Sequence, residues 1–126
     1  MNYYFSKESK EKLSTVDERL QTLFNEVIKY FNCKVTDGIR TAEQQKEIFD
    51  KNKGLTGCDG YHKISKHQLG LAVDVVPYPV NYEDKKSFYQ LAGCVKTIAK
   101  QLNINVVWGG DFKSIIDMPH WELVTD

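Results

Sequence analysis

Residues 65–77 of this chain read SKHQLGLAVDVVP. The second half, Leu71 to Pro77, predicts a buried β-strand, because it is rich in β-branched valine and ends at proline. Asp74 is the exception among these apolar residues, and a carboxylate is costly to bury without a partner. The partner is either a Lys or Arg side chain in a salt bridge or a metal ion, and the strand by itself leaves both open.

Two histidines favour the metal. His67 lies seven residues before Asp74, and His120 begins a later strand candidate. Two imidazoles and one carboxylate suffice for a catalytic zinc, which uses three protein ligands and leaves the fourth position to water. Asp117, three residues before His120, is placed to take a proton from that water. His62 is a rival ligand in a loop, but it lacks a partner pattern, so substrate contact or no role suits it better.

Apolar periodicity predicts the helices. Apolar residues recur every three or four positions in two long segments, which indicates amphipathic helices with one buried face. The segments are Ser14–Asn32 and about Tyr82–Leu102. Capping boxes predict where helices begin. The candidate boxes are Thr15 with Glu18 in the first helix, and Thr41 with Gln44 at the start of a shorter helix that ends before Gly54.

The remaining segments predict short strands and one loop. Residues 54–64 are rich in glycine and polar groups and predict a loop. Helices and strands mix without a regular βαβ rhythm, so the predicted class is α+β. The further strand candidates are Cys33–Thr36, Ile104–Trp108 and His120–Val124.

The length and charge of the chain limit the classes of function that it can have. The 126 residues fit one compact domain spanning 1–126. Lys plus Arg number 17 and Asp plus Glu number 17, and this zero net charge argues against a dedicated nucleic-acid binder. We recognise no signal peptide and no apolar run of the roughly 20 residues that cross a bilayer, so no stable membrane association is expected. The cysteines, Cys33, Cys58 and Cys94, are expected to be reduced thiols.

The motifs resemble a known family. The patterns SxHxxGxAxD at residues 65–74 and DxPHW at 117–121 are similar to those of zinc peptidases that cut bacterial cell-wall peptides. These include D-alanyl-D-alanine carboxypeptidases and dipeptidases, and the L-alanyl-D-glutamate endopeptidases of phages and bacilli. The GIRT segment at 38–41 and the WGGDF segment at 108–112 extend the likeness to roughly residues 5–124.

The resemblance implies a site. It implies zinc ligands at His67, Asp74 and His120, one Zn²⁺ per chain, and a catalytic carboxylate at Asp117. Relatives that act on D-alanyl-D-alanine usually carry Glu at that last position, so Asp117 favours the L-alanyl-D-glutamate group. The implied fold is the small α+β fold of hedgehog and D,D-peptidase domains, an antiparallel sheet flanked by helices.

Roles of neighbouring residues have competing interpretations. Arg40 would stabilise an oxyanion or hold a substrate carboxylate, or would be a surface arginine that caps a turn. Gln45 and Ser65 would contact substrate or orient a ligand, although Ser65 would equally cap a turn or helix. Glu122 would orient a ligand or be solvated. Trp108 and Trp121 are expected to be core aromatics, and Gly109-Gly110 to permit a tight turn.

The expected protein is a zinc metallopeptidase that hydrolyses the L-alanyl-D-glutamate bond of peptidoglycan stem peptides. The resemblance favours a phage endolysin. Because no signal peptide is recognised, we expect it to be made in the host cytoplasm and to reach the wall through a membrane lesion, with a phage virion component or a bacterial wall-remodelling enzyme as alternatives. No separate wall-binding domain is expected, and a monomer is the default for so small a hydrolase. The alternatives are a D-alanyl-D-alanine carboxypeptidase or dipeptidase, and a non-catalytic zinc-containing binding module of the same fold.

Overall fold

The computed structural model describes residues 2–51 and 56–125. The α-helices are Lys7–Leu13 (α1), Glu18–Val27 (α2), Ala42–Lys51 (α3) and Lys85–Leu102 (α4). The β-strands are Cys33–Asp37 (β1), Ala72–Pro77 (β2), Val106–Trp108 (β3) and His120–Leu123 (β4), and short 3-10 helices span Lys66–Leu69 and Gly109–Asp111. None of the helices in these described ranges is long and apolar enough to cross a membrane.

The strands form an antiparallel sheet in the order β1-β2-β4-β3. The register of β2 with β4 sets Asp74 opposite His120 and Ala72 opposite Glu122. Because directly opposed residues point to the same face of a sheet, these four side chains share one face. The observed mixture of helices with an antiparallel sheet confirms the predicted α+β class.

The other face of the sheet carries the core. Val73 and Val75 in β2 are completely buried there with Trp121 and Leu123 of β4, beneath apolar side chains of α2 and α4. Trp121 stacks on Trp108 with ring centroids 5.9 Å apart. Both tryptophans are therefore core aromatics, as predicted. Helices cover this face of the sheet, whereas Asp74 and His120 project from the opposite face.

The first predicted helix is wrong at both ends. Residues 14–32 contain α2 only over Glu18–Val27, and Asp17, not Thr15, caps it by accepting a hydrogen bond from the Arg19 N–H at 2.9 Å. The Thr15 hydroxyl donates to the Lys12 carbonyl and accepts from the Ile39 N–H. The Thr15–Glu18 capping box is therefore wrong, because tertiary contacts occupy the hydroxyl. Helix α1 was not predicted, since its seven residues are too few to show an apolar period.

The other predicted helices and strands agree with the structure to within three residues, whereas the two 3-10 helices were not predicted. The Thr41–Gln44 capping box is confirmed, since each backbone N–H donates to the other side chain, at 2.9 and 3.1 Å. The predicted end of α3 before Gly54, and the first two positions of the loop 54–64, lie outside the described residues. Residues 57–64 form bends and irregular backbone, as the loop prediction expects.

Helix α1 packs beside the outer edge of β1, and a buried hydroxyl of α1 binds one backbone N–H of that edge. Ser9 is 1% exposed, and its Oγ accepts the Val35 N–H at 3.1 Å. We expect Ser9→Ala to lower the free energy of unfolding by about 1–3 kcal/mol, because the Val35 N–H would be left buried and unpaired. Urea denaturation measures this, with exposed Ser114→Ala as the control, expected within about 0.5 kcal/mol of wild type. Equal stabilities of the two variants would contradict the prediction.

Candidate metal centre

Strand pairing and a short helix bring three ligand atoms together. Asp74 and His120 meet across β2 and β4, and His67 reaches them from the 3-10 helix Lys66–Leu69. The His67 Nε2 lies 3.2 Å from Asp74 Oδ1 and 3.2 Å from His120 Nδ1, and the last two atoms are 3.5 Å apart. Within the described ranges, this is the one group of three or more His, Cys, Asp or Glu side chains arranged to hold a metal ion.

The two imidazoles use opposite nitrogens. The His67 Nδ1 lies 2.9 Å from the Gly38 carbonyl, which only accepts, so Nδ1 carries hydrogen and Nε2 faces the cluster. In His120, Nε2 lies 2.8 Å from Glu122 Oε1, and Nδ1 faces the cluster. Each ring therefore has one nitrogen held by a hydrogen-bond acceptor and the other available as a ligand, which is the usual arrangement of metal-binding histidines.

The triangle of donor atoms fits zinc. Tetrahedral zinc binds nitrogen and oxygen at about 2.0–2.1 Å, which places neighbouring ligand atoms about 3.3–3.4 Å apart. The observed separations of 3.2, 3.2 and 3.5 Å bracket that value. Two imidazoles and a carboxylate are also a recurrent donor set for catalytic zinc.

Local hydrogen bonds keep the carboxylate charged. Burial by itself would raise the pKa of Asp74, but hydrogen bonds from His120 and His67 outweigh it and hold the pKa well below its usual range. Burial would lower the pKa of His120, whereas its hydrogen bonds with Asp74 and Glu122 raise that pKa to about 9. Asp74 is thus already in the ionised form that a metal requires, whereas His120 must release its Nδ1 proton when a metal binds.

Asp117 lies beside the triangle without joining it. Its Oδ2 is 3.9 Å from the His120 Nδ1, beyond hydrogen-bonding distance, and about half of its side chain is exposed. Burial of the rest and the nearby charge of Asp74 raise the pKa of Asp117, against the opposing charges of His120, His67 and Arg40. A carboxyl with a raised pKa beside a cluster of ligands is suited to accept and return protons.

The loop that carries Asp117 is pinned at several points. The Asp117 N–H donates to the Gly109 carbonyl at 2.9 Å, and the His120 N–H donates to the Asp117 carbonyl at 3.1 Å. The Trp108 indole Nε1 donates to the Met118 carbonyl at 2.6 Å. Trp108 therefore positions this loop as well as filling the core, a role that its sequence context did not indicate.

Arg40 reaches the far side of Asp74. Its Nε donates to Asp37 at 2.6 Å, its Nη1 to Gln45 Oε1 at 3.0 Å, and its Nη2 lies 3.4 Å from Asp74 Oδ2. Gln45 is fully buried and also donates to the Cys58 carbonyl at 2.9 Å, which ties the loop after α3 to the arginine. Arg40 is therefore a fixed, mostly buried group beside the cluster rather than a surface turn cap.

Of the remaining predicted residues, Ser65 supports the cluster and His62 lies apart from it. Ser65 accepts from the Gln68 N–H, and Gln68 Oε1 accepts the Ser65 N–H, so Ser65 caps the 3-10 helix that carries His67. His62 pairs with Asp59 at 2.9 Å and its side chain is 94% exposed, apart from the cluster. The contacts of Asp37, Gly38 and Lys66 were not predicted from the sequence. Gly38 and Lys66 lie inside the motifs, but their partners His67 and Leu123 are 29 and 57 residues away, so no local pattern indicates these contacts.

Known structures share this architecture. The L-Ala D-Glu endopeptidase ChiX of Serratia marcescens is similar with a TM-score of 0.81 and 28% identity, over 96% of this chain and 90% of that chain. The vancomycin-resistance D,D-pentapeptidase VanY of a VanB-type cassette, as a mutant with Zn(II), and VanYB with D-alanine-D-alanine match at TM-scores of 0.55 and 0.56. Both are 24% identical and cover 90% of this chain, with 71% and 70% of their own chains matched, so they show the fold alone.

The fold is thus that of a class of peptidases, and a family model narrows the class. The model described as phage L-alanyl-D-glutamate peptidase matches residues 1–124. The chain belongs to this peptidase family, which confirms the resemblance seen in the motifs.

Gly109 is required by a close approach. A Cβ at this position would collide with the Asp117 carbonyl oxygen and lie 2.8 Å from the His120 Cβ. We expect Gly109→Ala to destabilise the protein by roughly 1–3 kcal/mol, because the loop must move. The matched control is Gly93→Ala in α4, where a Cβ meets nothing within 4 Å and should add about 0.5–1 kcal/mol of stability. Thermal and urea unfolding compare them, and a neutral Gly109→Ala would contradict the packing argument.

Alanine variants of the three candidate ligands should differ in metal content from an alanine variant of Asp117. We expect His67→Ala, Asp74→Ala and His120→Ala to lose zinc, because each removes one donor of the triangle. Asp117→Ala should keep zinc, because its carboxylate stands outside the triangle. Elemental analysis of the purified proteins checks this, and circular dichroism confirms that each variant is folded. Full zinc content in a folded Asp74→Ala protein would exclude the assigned centre.

Proposed function

We propose that this protein is a zinc metallopeptidase that hydrolyses the L-alanyl-D-glutamate bond of peptidoglycan stem peptides. The observation that carries the proposal is the donor triangle of His67, Asp74 and His120, whose edges match tetrahedral zinc, with Asp117 beside it. The family model and the similarity to the ChiX endopeptidase support the choice of bond.

Asp117 is assigned to proton transfer. When bound, zinc supplies a Lewis acid that polarises a peptide carbonyl and lowers the pKa of water. Asp117 takes a proton from the attacking water as the new C–O bond forms, and it gives that proton to the leaving amine as the C–N bond breaks. Its half-exposed position lets it reach both water and substrate, and its raised pKa favours the protonated form that the second step needs.

Arg40 is assigned to the stabilisation of negative charge on the substrate. Its guanidinium is held by Asp37 and Gln45 and lies 3.4 Å from the outer oxygen of Asp74, so its positive charge is next to the cluster. From there it can stabilise the oxyanion or hold a substrate carboxylate. Because the arginine is already fixed, little conformational entropy is lost when substrate binds. Gln45 acts through Arg40 by fixing the position of the guanidinium.

The family supports a phage lysis role. We propose that the protein acts as an endolysin, made in the host cytoplasm and reaching the wall through a membrane lesion, and that it works as a monomer. Its substrate is then the stem peptide of the bacterial wall, and no nucleic acid is needed. A D-alanyl-D-alanine peptidase is the rival on the same fold. It is disfavoured because relatives with that activity usually carry Glu at the position of Asp117.

Product analysis tests the proposal. The zinc-loaded protein is incubated with purified peptidoglycan, and new amino termini are identified by mass spectrometry. We expect new D-glutamate amino termini from the wild type and none from Asp117→Ala or from chelator-treated protein.

Other products decide between the alternatives. Release of D-alanine or its dipeptide would overturn the assigned bond in favour of the D-alanyl-D-alanine peptidase. An absence of cleavage across Gram-negative and Gram-positive walls, with zinc still bound, would leave the non-catalytic binding module as the explanation.

A further inference from the structure

Lys66 joins the two elements that carry the histidine ligands. It precedes His67 in the 3-10 helix, and its side chain crosses to β4. There Nζ lies 3.0 Å from Glu122 Oε2 and donates to the Leu123 carbonyl at 2.8 Å. The other oxygen of Glu122, Oε1, lies 2.8 Å from the His120 Nε2. Lysine, glutamate and histidine thus form one continuous chain of contacts.

This chain of contacts is less exposed to solvent than an ordinary ion pair on the surface. Side chains of Lys66 and Glu122 are 32% and 18% exposed, whereas those of the pair Lys29 and Glu26 are 54% and 33% exposed at a similar distance of 2.9 Å. An exposed ion pair contributes little, but a partly buried carboxylate depends on its partners for its charge and orientation. Glu122 has both oxygens occupied, one by each partner.

The same design holds the other carboxylate of the site. Asp74 directs Oδ1 to the cluster while Oδ2 lies 3.4 Å from Arg40. Glu122 directs Oε1 to the ligand His120 while Oε2 contacts Lys66. One cation therefore lies behind each carboxylate, and each cation restrains the rotation of the carboxylate in front of it.

We propose that Lys66 is a positioning residue of the metal centre. It holds Glu122 in the orientation that accepts the Nε2–H of His120, so that Nδ1 of His120 is presented to zinc. The inference rests on the proposed zinc centre and adds to it a residue that contacts no ligand atom. A carboxylate behind a ligand histidine fixes the ring and raises its basicity, and loss of such a partner typically weakens metal binding by about 10–100-fold.

Zinc affinity tests the proposal. The variants are Lys66→Met, which keeps the apolar stem without the ammonium, and Lys66→Arg, which keeps the charge. The matched control is Lys29→Met. We expect chelator competition to show about tenfold weaker zinc binding in Lys66→Met, restored affinity in Lys66→Arg and no change in Lys29→Met. Should Lys66→Met not fold, Lys66→Gln gives the same comparison, since its amide can still donate to the Leu123 carbonyl.

A double-mutant cycle shows whether Lys66 acts through Glu122. If it does, the losses of zinc affinity in Lys66→Met and Glu122→Gln do not multiply, and the double variant binds zinc no more weakly than Glu122→Gln alone. In zinc-loaded protein, the NMR signal of the His120 Nε2 proton should shift in Lys66→Met and stay in place in Lys29→Met, because the hydrogen bond to Glu122 changes when Lys66 no longer holds that carboxylate.

The outcomes separate this inference from the proposed function. Failure of the wild type to bind zinc would overturn the proposed function and the inference with it. Tight zinc binding by the wild type, with an equal affinity and an unshifted His120 signal in Lys66→Met, would overturn the inference alone. Lower thermal stability in Lys66→Met with unchanged zinc affinity would reduce Lys66 to a structural link between the 3-10 helix and β4.

Discussion

The pairing of β2 with β4 sets Asp74 opposite His120, and the site depends on that register. Strand side chains alternate faces, so a shift of one residue would move Asp74 into the core beneath α2 and α4 and turn Val73 or Val75 toward the cluster. An unpaired carboxylate in that core would be strongly unfavourable. The register therefore satisfies two demands together, since it completes the apolar core on one face and gathers charged ligands on the other.

The polar side chains around Asp74 are fully paired. Within the described residues, every buried side-chain nitrogen or oxygen has a hydrogen-bond partner. The Gly38 carbonyl holds His67, Glu122 holds His120, and Arg40 lies behind Asp74. Such a network fixes the ring orientations before any metal arrives, so little reorganisation accompanies binding.

The proposed ligands and the proposed proton carrier occupy different kinds of structure. Asp74 and His120 lie on strands and His67 on a capped 3-10 helix, where backbone hydrogen bonds fix their geometry. Asp117 lies on a loop held by the Gly109 carbonyl and by the Trp108 indole through Met118, and it remains half exposed. This division suits a hydrolase, because ligands must keep fixed distances whereas the proton carrier must reach water and substrate.

Local chemistry in the sequence was enough for the α+β class and the Thr41–Gln44 capping box, because periodicity and caps are short-range patterns. The residues of the donor triangle came from two separated motifs and from the family that these motifs resemble. Local chemistry was not enough for the Thr15 hydroxyl, whose partners come from tertiary contacts, or for the nitrogen that each histidine presents. The Gly38 carbonyl that orients His67 is 29 residues away in sequence, and the Leu123 carbonyl that binds Lys66 is 57 residues away. Hydrogen bonds over such separations exist only after the chain has folded, so the tertiary structure alone decided them.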